Sequence, residues 1–485
     1  MLVDQSTDDA ATYADDPTTE AAERSWEWTR WLPLAAGVAA AVVALLQLFV
    51  PTTRGLADNG DFIRLLCHVD VEPVTGEEAP FFQYLHVEND PADGPPAFAC
   101  NYRSTAEAVL WTGSLITAAT GGDGLDLRAV GVLHAVAFGA AVGILVAAAA
   151  RGPGRIVLAA GAIALLGDGS LVAYFTSAYS EPTAIVGLVA LIGLLAWWWR
   201  TGNGGLLAGA ATVAAVVVGA KAQYGPVAFL LVPALLLAPL NGRSPRARAL
   251  WPRVLAAGVV AVAGILTLAA RPSELAVANR WNAVFVELVP EADDPVAALR
   301  RLGLPVEALA HAGQNFWAPG AGAADDEVAA LVDEVGELDI VGYYLAEPAQ
   351  TADLLVRGVA AVGDPHLDYL GKTTAAEPPG STDACRWCPV TVVGRALGTW
   401  AAVPVLAAWI GVVAFSIRRR RWASSASCRA ALLCVAIAVV QVLVVAFGEG
   451  AWEMTKHLSL ATTATLLAAV VAAAELVGGG STIRD

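Results

Sequence analysis

Charged side chains are scarce in this sequence. They make up 15% of its 485 residues, whereas hydrophobic residues make up 56%. A soluble protein of this length needs a larger polar share to cover its surface, so the composition excludes a soluble globular protein and predicts a polytopic membrane protein. The formal net charge of −16 argues against binding to nucleic acid.

Lysine and cysteine are also rare. Only three lysines occur, Lys221, Lys372 and Lys456, against 26 arginines. Six cysteines are too few for a disulfide scaffold. The sequence has no HExxH motif and no paired CxxC motifs, and its histidines lack the spacing of metal ligands, which argues against a zinc site.

Long apolar runs predict an all-α fold with about ten transmembrane helices, because a run of about 17–25 residues can cross a bilayer. The ten predicted spans are 33–50, 129–150, 156–175, 182–199, 204–220, 223–240, 250–270, 396–417, 427–447 and 458–478. Arginine clusters in the short loops all fall on one side, which the positive-inside rule identifies as the cytoplasm. The run 106–119 is too short to span and is predicted to lie on the membrane surface.

This topology divides the chain into regions. Residues 1–32 form an acidic tail that is predicted to be disordered, and residues 479–485 form a second tail, so that both termini lie in the cytoplasm. Residues 33–270 hold the first seven spans, and residues 396–478 hold the last three. Between them, residues 271–395 form a small domain outside the membrane, and the first outer loop covers residues 51–128.

Four cysteines fall in the two outer loops, where an oxidising compartment permits disulfides. We predict one bridge in each loop, between Cys67 and Cys100 and between Cys385 and Cys388. A redox motif is the alternative for Cys385 and Cys388, but no thioredoxin-like pattern surrounds it. Cys428 and Cys434 lie near the ninth span and are predicted to be small apolar core residues.

Polar residues collect at the outer ends of the spans. The stretch "ADNGDFIR" follows the first span and contains Asp58, Asp61 and Arg64. Its Asn-Gly pair predicts a turn, and Asp61 can cap the helix that follows, which leaves Asp58 unexplained. The other outer polar residues are Tyr179, Glu181, Lys221, Gln223, Arg271, Glu449, Glu453, Lys456 and His457. Charges at span ends often only anchor a helix, and that reading is favoured for Arg271 or Glu449 taken alone.

The combination of carboxylates and cations at an outer membrane boundary favours one chemistry. A carboxylate can act as a general base on a hydroxyl, and nearby cations can stabilise a departing phosphate. Glycosyl transfer from a polyprenyl-phosphate sugar needs both groups at this depth. The sequence therefore predicts an outward-facing site for this reaction.

Several short motifs, read together, resemble a known family. They are "DNGDF" at 58–62, "YSEP" at 179–182, Lys-x-Gln at 221–223, "LRRLGLP" at 299–305 and "KHL" at 456–458. The chain resembles the GT-C membrane glycosyltransferases, specifically the hexosyltransferases of bacterial cell-surface (S-layer-type) glycan assembly. The resemblance implies a GT-C-like fold with residues 33–270 as the catalytic module. It also implies inversion at the anomeric carbon, with an Asp of the first outer loop as the base.

The resemblance also implies roles for the outer residues. Asp61 is the favoured base, and Asp58 would orient the acceptor or assist. Lys221, Arg271, Lys456 and His457 are candidates for the donor phosphate. Arg64 would pair with an acid or that phosphate, and Glu181 would bind sugar hydroxyls, with Tyr179 and Gln223 beside it. The partners are a polyprenyl-phosphate sugar, a glycan or glycolipid acceptor and membrane lipid at the plasma membrane. No cofactor is expected, with Mg²⁺ or Ca²⁺ between the two aspartates as a minority alternative.

Two other functions stay open. A transporter or flippase of lipid-linked sugars would need charges at mid-membrane and internal repeats. Asp168 is the one clear acid within a predicted span, and no internal repeat is visible. A non-catalytic subunit of an envelope-assembly complex is the second alternative, and it predicts that Asp61→Asn leaves function intact.

Overall fold

The computed structural model describes residues 27–57, 63–73, 85–88, 102–149, 152–237, 250–323, 326–372, 386–418 and 421–478. Within these residues seven helices are long and apolar enough to cross a membrane. They are Leu32–Phe49, Leu127–Ala148, Glu181–Thr201, Leu250–Ala269, Pro389–Arg418, Ala426–Glu449 and Ser459–Gly478. The predicted all-α polytopic fold is confirmed.

The other three predicted spans have a different form. The predicted span 156–175 is a helix pair, Pro153–Leu166 and Gly169–Thr176, which is bent by 65°. The predicted spans 204–220 and 223–240 correspond to the shorter apolar helices Gly204–Ala220 and Ala222–Leu237. Every predicted span thus coincides with an apolar helix, although not each one is a single long crossing.

The Glu181–Thr201 helix is the most enclosed of the long helices, with 83% of its apolar window buried. It packs against Leu127–Ala148 on one side and Gly204–Ala220 on another, and it also contacts the last two long helices. The first residue of the helix, Glu181, therefore lies at the centre of one end of the bundle. Small residues allow the closest packing elsewhere: a Cβ on Gly37 would lie 2.8 Å from the carbonyl oxygen of Gly139.

Short strands pair within the first long loop and between the two long loops. The strands are β1 (Leu56–Ala57), β2 (Val71–Pro73), β3 (Leu85–Glu88), β4 (Leu125–Asp126) and β5 (Leu370–Lys372). Strands β2, β3 and β4 form an antiparallel sheet within the first outer loop. Strand β1 pairs with β5, with Leu56 opposite Lys372, and this pairing joins the first loop to the second.

Helices lie in the described parts of both loops. The predicted surface segment 106–119 is the helix Glu107–Ala119. The second loop contains Ser273–Trp281, which continues into the π-helix Asn282–Leu288, and then Pro295–Arg301, Asp326–Glu334, Glu337–Ala346 and Pro348–Gly363. The predicted boundaries of the domains and the cytoplasmic position of the termini stay predictions.

The bend in the third predicted span is held by the second loop. Asp168 lies at the break and is fully buried. Its carboxylate accepts hydrogen bonds from the amides of Ser170 (3.0 Å) and Val390 (2.9 Å), and from the amide (3.2 Å) and hydroxyl (2.9 Å) of Thr391. The indole of Trp387 donates to the carbonyl of Ala164 at 2.8 Å. We call these contacts the Asp168 latch.

The cysteines follow the predicted division between loops and core. Cys67 and Cys388 are both disulfide-bonded, while their predicted partners, Cys100 and Cys385, lie outside the described residues. Cys428 and Cys434 are buried free thiols in the Ala426–Glu449 helix, as predicted.

Candidate active site

A cavity of about 580 Å³ opens at the end of the bundle where Glu181 lies. It is bounded by the starts of Glu181–Thr201 and Ser273–Trp281, the end of Ala426–Glu449, and the turns that follow Gly204–Ala220 and precede Ser459–Gly478. Seven of the eight predicted substrate-binding residues line it, namely Arg64, Tyr179, Glu181, Lys221, Gln223, Arg271 and His457. The predicted catalytic residues, Asp58 and Asp61, lie outside the described residues.

Glu181 and Lys221 form an ion pair in the cavity wall. Glu181 is the first residue of its helix and is 1% exposed. Lys221 follows the last residue of Gly204–Ala220 with extended backbone angles, which turn the chain into the 3₁₀ helix Ala222–Val227. Its ammonium donates to Oε1 of Glu181 at 2.8 Å. Because a lysine ammonium has three donors, this bond leaves Lys221 able to serve a ligand as well.

His457 connects three segments that are far apart in sequence. Its Nδ1 lies 2.7 Å from Oε1 of Gln223 and 3.4 Å from the Lys221 ammonium, and its carbonyl accepts from the Gln223 amide at 2.7 Å. Gln441 in turn donates to the Gln223 carbonyl at 3.1 Å. These bonds fix the turn after Gly204–Ala220 against the turn before Ser459–Gly478.

Two carboxylates favour the protonated, cationic form of His457. Nδ1 of His457 lies 3.0 Å from Oε2 of Glu449, and Nε2 lies 3.8 Å from Oε2 of Glu453. Burial is the largest single influence and lowers the pKa of His457, but the charge and hydrogen bonds of Glu449 and Glu453 together raise it above its ordinary value. Asn279 donates to the second oxygen of Glu449 at 3.0 Å, which orients that carboxylate.

Lys456 lies behind the cavity wall. Its side chain is fully buried. The ammonium lies 4.6 Å from the ring centroid of Tyr179 and donates to Glu453 at 3.3 Å. Lys456 therefore supports two residues that face the cavity. A direct contact between Lys456 and a phosphate stays a prediction.

The turn that carries these acids has unusual backbone angles. Glu453 has a φ of 46° and Gly450 a φ of 68°, both in the left-handed region. This region is costly for a residue with a side chain, and such residues concentrate at functional sites. A Cβ at Gly450 would lie 2.6 Å from the Cβ of Glu287, a fully buried acid that is ion-paired with Arg357. The second loop thus holds this turn in place.

Each predicted phosphate-binding cation has a carboxylate partner. The pairs are Lys221 with Glu181, Arg271 with Glu337, Lys456 with Glu453, and His457 with Glu449. The predicted site does not include Glu449 and Glu453, although both were predicted to lie outside the membrane. Their spacing was an available signal, because 449, 453 and 457 recur every four residues, as on one helix face.

The remaining lining side chains include apolar residues, aromatic residues and amides. The apolar residues are Pro226, Leu268, Leu443, Val444 and Phe447. We call Trp317 and Trp452, together with the amides Asn279 and Asn282, the aromatic part of the cavity. The cavity can therefore hold a ligand that has both apolar and polar groups.

In the part of the chain that the structure describes, no group of three or more His, Cys, Asp or Glu side chains could hold a metal ion. The two aspartates of the minority metal prediction are not in that part.

Comparison with known proteins gives a family. Residues 20–480 match the YfdI N-terminal transmembrane domain, and no curated protein matches the chain. Among solved structures, the oligosaccharyltransferase AglB from Archaeoglobus fulgidus, in complex with an inhibitory peptide and a dolichol-phosphate, is 14% identical with a TM-score of 0.40 over 95% of this chain and 53% of that chain. The oligosaccharyltransferase of the same organism with a tethered acceptor peptide is 14% identical with a TM-score of 0.39, over 92% of this chain and 50% of that chain.

This chain spans about half the length of those two oligosaccharyltransferase chains. With TM-scores of 0.40 and 0.39, the likeness carries no argument about function. The family match, in contrast, covers nearly the whole sequence. The chain belongs to the family of the YfdI N-terminal transmembrane domain.

Proposed function

We propose that this protein is a GT-C-type membrane glycosyltransferase. It moves a hexose or pentose from a polyprenyl-phosphate donor to a glycan or glycolipid acceptor of the cell envelope, on the extracytoplasmic face. The S-layer-type hexosyltransferases are the group we favour. One observation carries the proposal: a single cavity joins an apolar wall to charged side chains contributed by separate segments. A lipid-linked sugar phosphate needs both environments at once.

The donor fits the cavity in one orientation. Its isoprene units would pack against Leu268, Leu443 and Phe447, where apolar surface is buried at a gain of roughly 25 cal/mol per Å². Its phosphate would then face Lys221 and Arg271. Both cations retain donors beyond the one bonded to a glutamate, because an ammonium has three and a guanidinium five. Neither ion pair has to break for a phosphate to bind.

The transfer itself requires a base, and we assign it to Asp61, with Asp58 in support. Asp61 precedes Arg64 by three residues, and Arg64 lines the cavity. The carboxylate takes the proton of the acceptor hydroxyl, whose oxygen attacks the anomeric carbon with inversion. The bond from that carbon to the phosphate oxygen breaks, and polyprenyl phosphate leaves with the electron pair. Lys221, Arg271 and the His457 imidazolium stabilise its charge. No metal or cofactor takes part in this scheme.

The role of Asp168 supports this proposal over a transporter. A transporter of lipid-linked sugars would use a mid-membrane charge to contact its cargo. Asp168 is the one clear acid that the sequence placed within a predicted span. Its carboxylate instead accepts hydrogen bonds from the amides of Ser170 and Val390 and from Thr391.

A turnover assay tests the proposal. Purified protein would be incubated with a panel of polyprenyl-phosphate hexoses and pentoses and an envelope glycan fraction, and release of polyprenyl phosphate would be measured. We expect release with at least one donor, and a loss of about 100-fold or more in Asp61→Asn, the range expected for removal of a general base.

Asp70→Asn is the matched control. Asp70 is an exposed acid of the same loop with a φ of 53°, a conformation that Asn also tolerates. It should retain full turnover. If no donor released polyprenyl phosphate, the proposed function would be wrong. If Asp61→Asn and Asp58→Asn both retained turnover, the assignment of the base would be wrong.

A further inference from the structure

We infer that the aromatic part of the cavity is a binding site for a neutral sugar ring of the acceptor, with Trp317 as its stacking platform. This inference rests on the proposed function and extends it to the acceptor. Three features carry it: the helix face that lines this part of the cavity, the way Trp317 is held, and the order of contacts from Trp317 to the charged residues.

One face of the Ser273–Trp281 helix and its π-helical continuation lines the cavity. The residues are Leu275, Ala278, Asn279 and Asn282, and their spacing of three, four and seven places them on the same side. Both amides therefore lie on the helix face that lines the cavity. Asn279 is tied to Glu449 at 3.0 Å, so this face connects directly to the charged cluster.

Trp317 is held rigidly although it is exposed. The side chain is 47% exposed and lines the cavity. Its ring makes an edge contact with Phe316, at 4.8 Å between centroids, and the Phe316 amide donates to Oδ1 of Asn282 at 3.0 Å. Behind it, Trp281 packs at 6.0 Å from the Phe316 ring. A half-exposed indole on a packed aromatic cluster is preorganised for a planar, partly apolar ligand.

A sugar ring has this character. One of its faces presents C–H groups that can stack on an indole, and its edge presents hydroxyls that both donate and accept hydrogen bonds. The amides of Asn279 and Asn282 and the carboxylate of Glu449 offer both kinds of partner along that edge. Glu337 and Glu449 also line this cavity, and each is paired with a cation, Arg271 and His457 respectively, so a ligand here meets balanced charge. The ligand class is therefore a neutral hexose or pentose.

The order of contacts assigns this ring to the acceptor. Trp317 adjoins Phe316, which is bonded to Asn282, and Asn279 on the same face is bonded to Glu449. Glu449 contacts His457, which adjoins Lys221. The donor phosphate belongs at the Lys221 end of this series. A ring at the Trp317 end is the second sugar, on the side of the transfer opposite to the lipid.

Steady-state kinetics with the full-length protein test this assignment. In Trp317→Ala we expect the KM for the acceptor to rise roughly three- to tenfold, the loss expected for one aromatic stack, while the KM for the donor stays unchanged. Trp317→Phe should recover most of the loss. The control is Trp251→Ala, because Trp251 is an exposed indole on a membrane-crossing helix and does not line the cavity. A rise in the donor KM alone, or no change in either KM, would overturn the inference.

A binding measurement separates this inference from the proposed function. Saturation-transfer NMR with methyl glycosides of neutral hexoses and pentoses requires no turnover. The wild type should transfer saturation to the ring C–H protons of at least one glycoside, and Trp317→Ala should lose that signal. Binding without any release of polyprenyl phosphate would contradict the proposed function and leave the sugar site standing. Normal turnover with an unchanged signal in Trp317→Ala would contradict the sugar site alone.

Discussion

Asp168 and Glu181 are buried acids at breaks between apolar helices, and they have different roles in this molecule. Asp168 is 0% exposed and Glu181 is 1% exposed. Asp168 is satisfied by neutral donors, namely backbone amides and the Thr391 hydroxyl, and it does not line the cavity. Glu181 is paired with the cation of Lys221 and faces the cavity.

The two acids differ in their hydrogen-bonding partners and in their access to the cavity. A buried carboxylate must be hydrogen-bonded or paired in either case, because an unpaired charge in a low dielectric is very costly. Neutral donors hold Asp168 as part of the architecture. A charged partner from another helix, with room beside it for a ligand, makes Glu181 part of a candidate site. Burial of an acid therefore does not identify a site in this protein until its partners are known.

The largest expected effect comes from breaking the Glu181–Lys221 pair. Lys221→Met leaves Glu181 buried without its cation, and we expect the free energy of unfolding to fall by about 3–5 kcal/mol and turnover by at least 100-fold. The double variant Glu181→Gln/Lys221→Met should recover most of the stability but none of the turnover. Thermal unfolding in detergent and release of polyprenyl phosphate measure the two effects. Recovery of turnover in the double variant would show that the pair is architecture, as at Asp168.

A smaller effect on turnover is expected at the Asp168 latch. Asp168→Ala removes the acceptor for four hydrogen bonds, and bonds to a charged group contribute about 1.5–3 kcal/mol each at most. We expect a lower thermal midpoint, with turnover per folded molecule within about twofold of the wild type. Asp168→Asn keeps one carbonyl acceptor and should lie between the two in stability. A variant that keeps its thermal midpoint but loses turnover would place Asp168 in a functional site.

The smallest effect concerns the charge of His457. Burial lowers its pKa, but the carboxylates of Glu449 and Glu453 together raise it above 6.5. The imidazolium pairing therefore contributes stability in full below pH 6.5, and this contribution is lost as the pH rises through the raised pKa. We expect the thermal midpoint of the wild type to fall over that range relative to His457→Gln. Glu449→Gln should shift the fall to lower pH, and parallel curves for wild type and His457→Gln would contradict this account.

The sequence predicted seven polar residues of the cavity because topology and residue type sufficed. Lys221, Gln223 and His457 each follow an odd-numbered predicted span, so the arginine pattern of the other loops placed them all outside. In the structure Lys221 and Gln223 are both within hydrogen-bonding distance of His457. Each loop of a membrane protein can lie on only one of two sides. The side of each loop can be predicted from one sequence, and residues predicted on the same side are candidates for one site.

The features that were missed depend on tertiary contacts. Glu449 and Glu453 looked like ordinary charges at a span end, because their pairing with His457 requires the turn at Gly450 and its contact with Glu287. The run 156–175 looked like one continuous span, and its 65° bend is held by residues of the second loop more than 200 positions later. The β1–β5 pairing involves strands of two and three residues, too short to leave a pattern in the sequence.

Photocrosslinking tests the central claim, that this cavity holds a lipid-linked phosphate, most directly. A polyprenyl phosphate with a diazirine on its first isoprene unit would be irradiated with the purified protein, and the labelled peptides would be identified by mass spectrometry. We predict labelling of Leu443, Val444 and Phe447 that falls sharply in Lys221→Met. Labelling confined to outward-facing residues such as Val262 and Ile265, and equal in the two proteins, would contradict the claim.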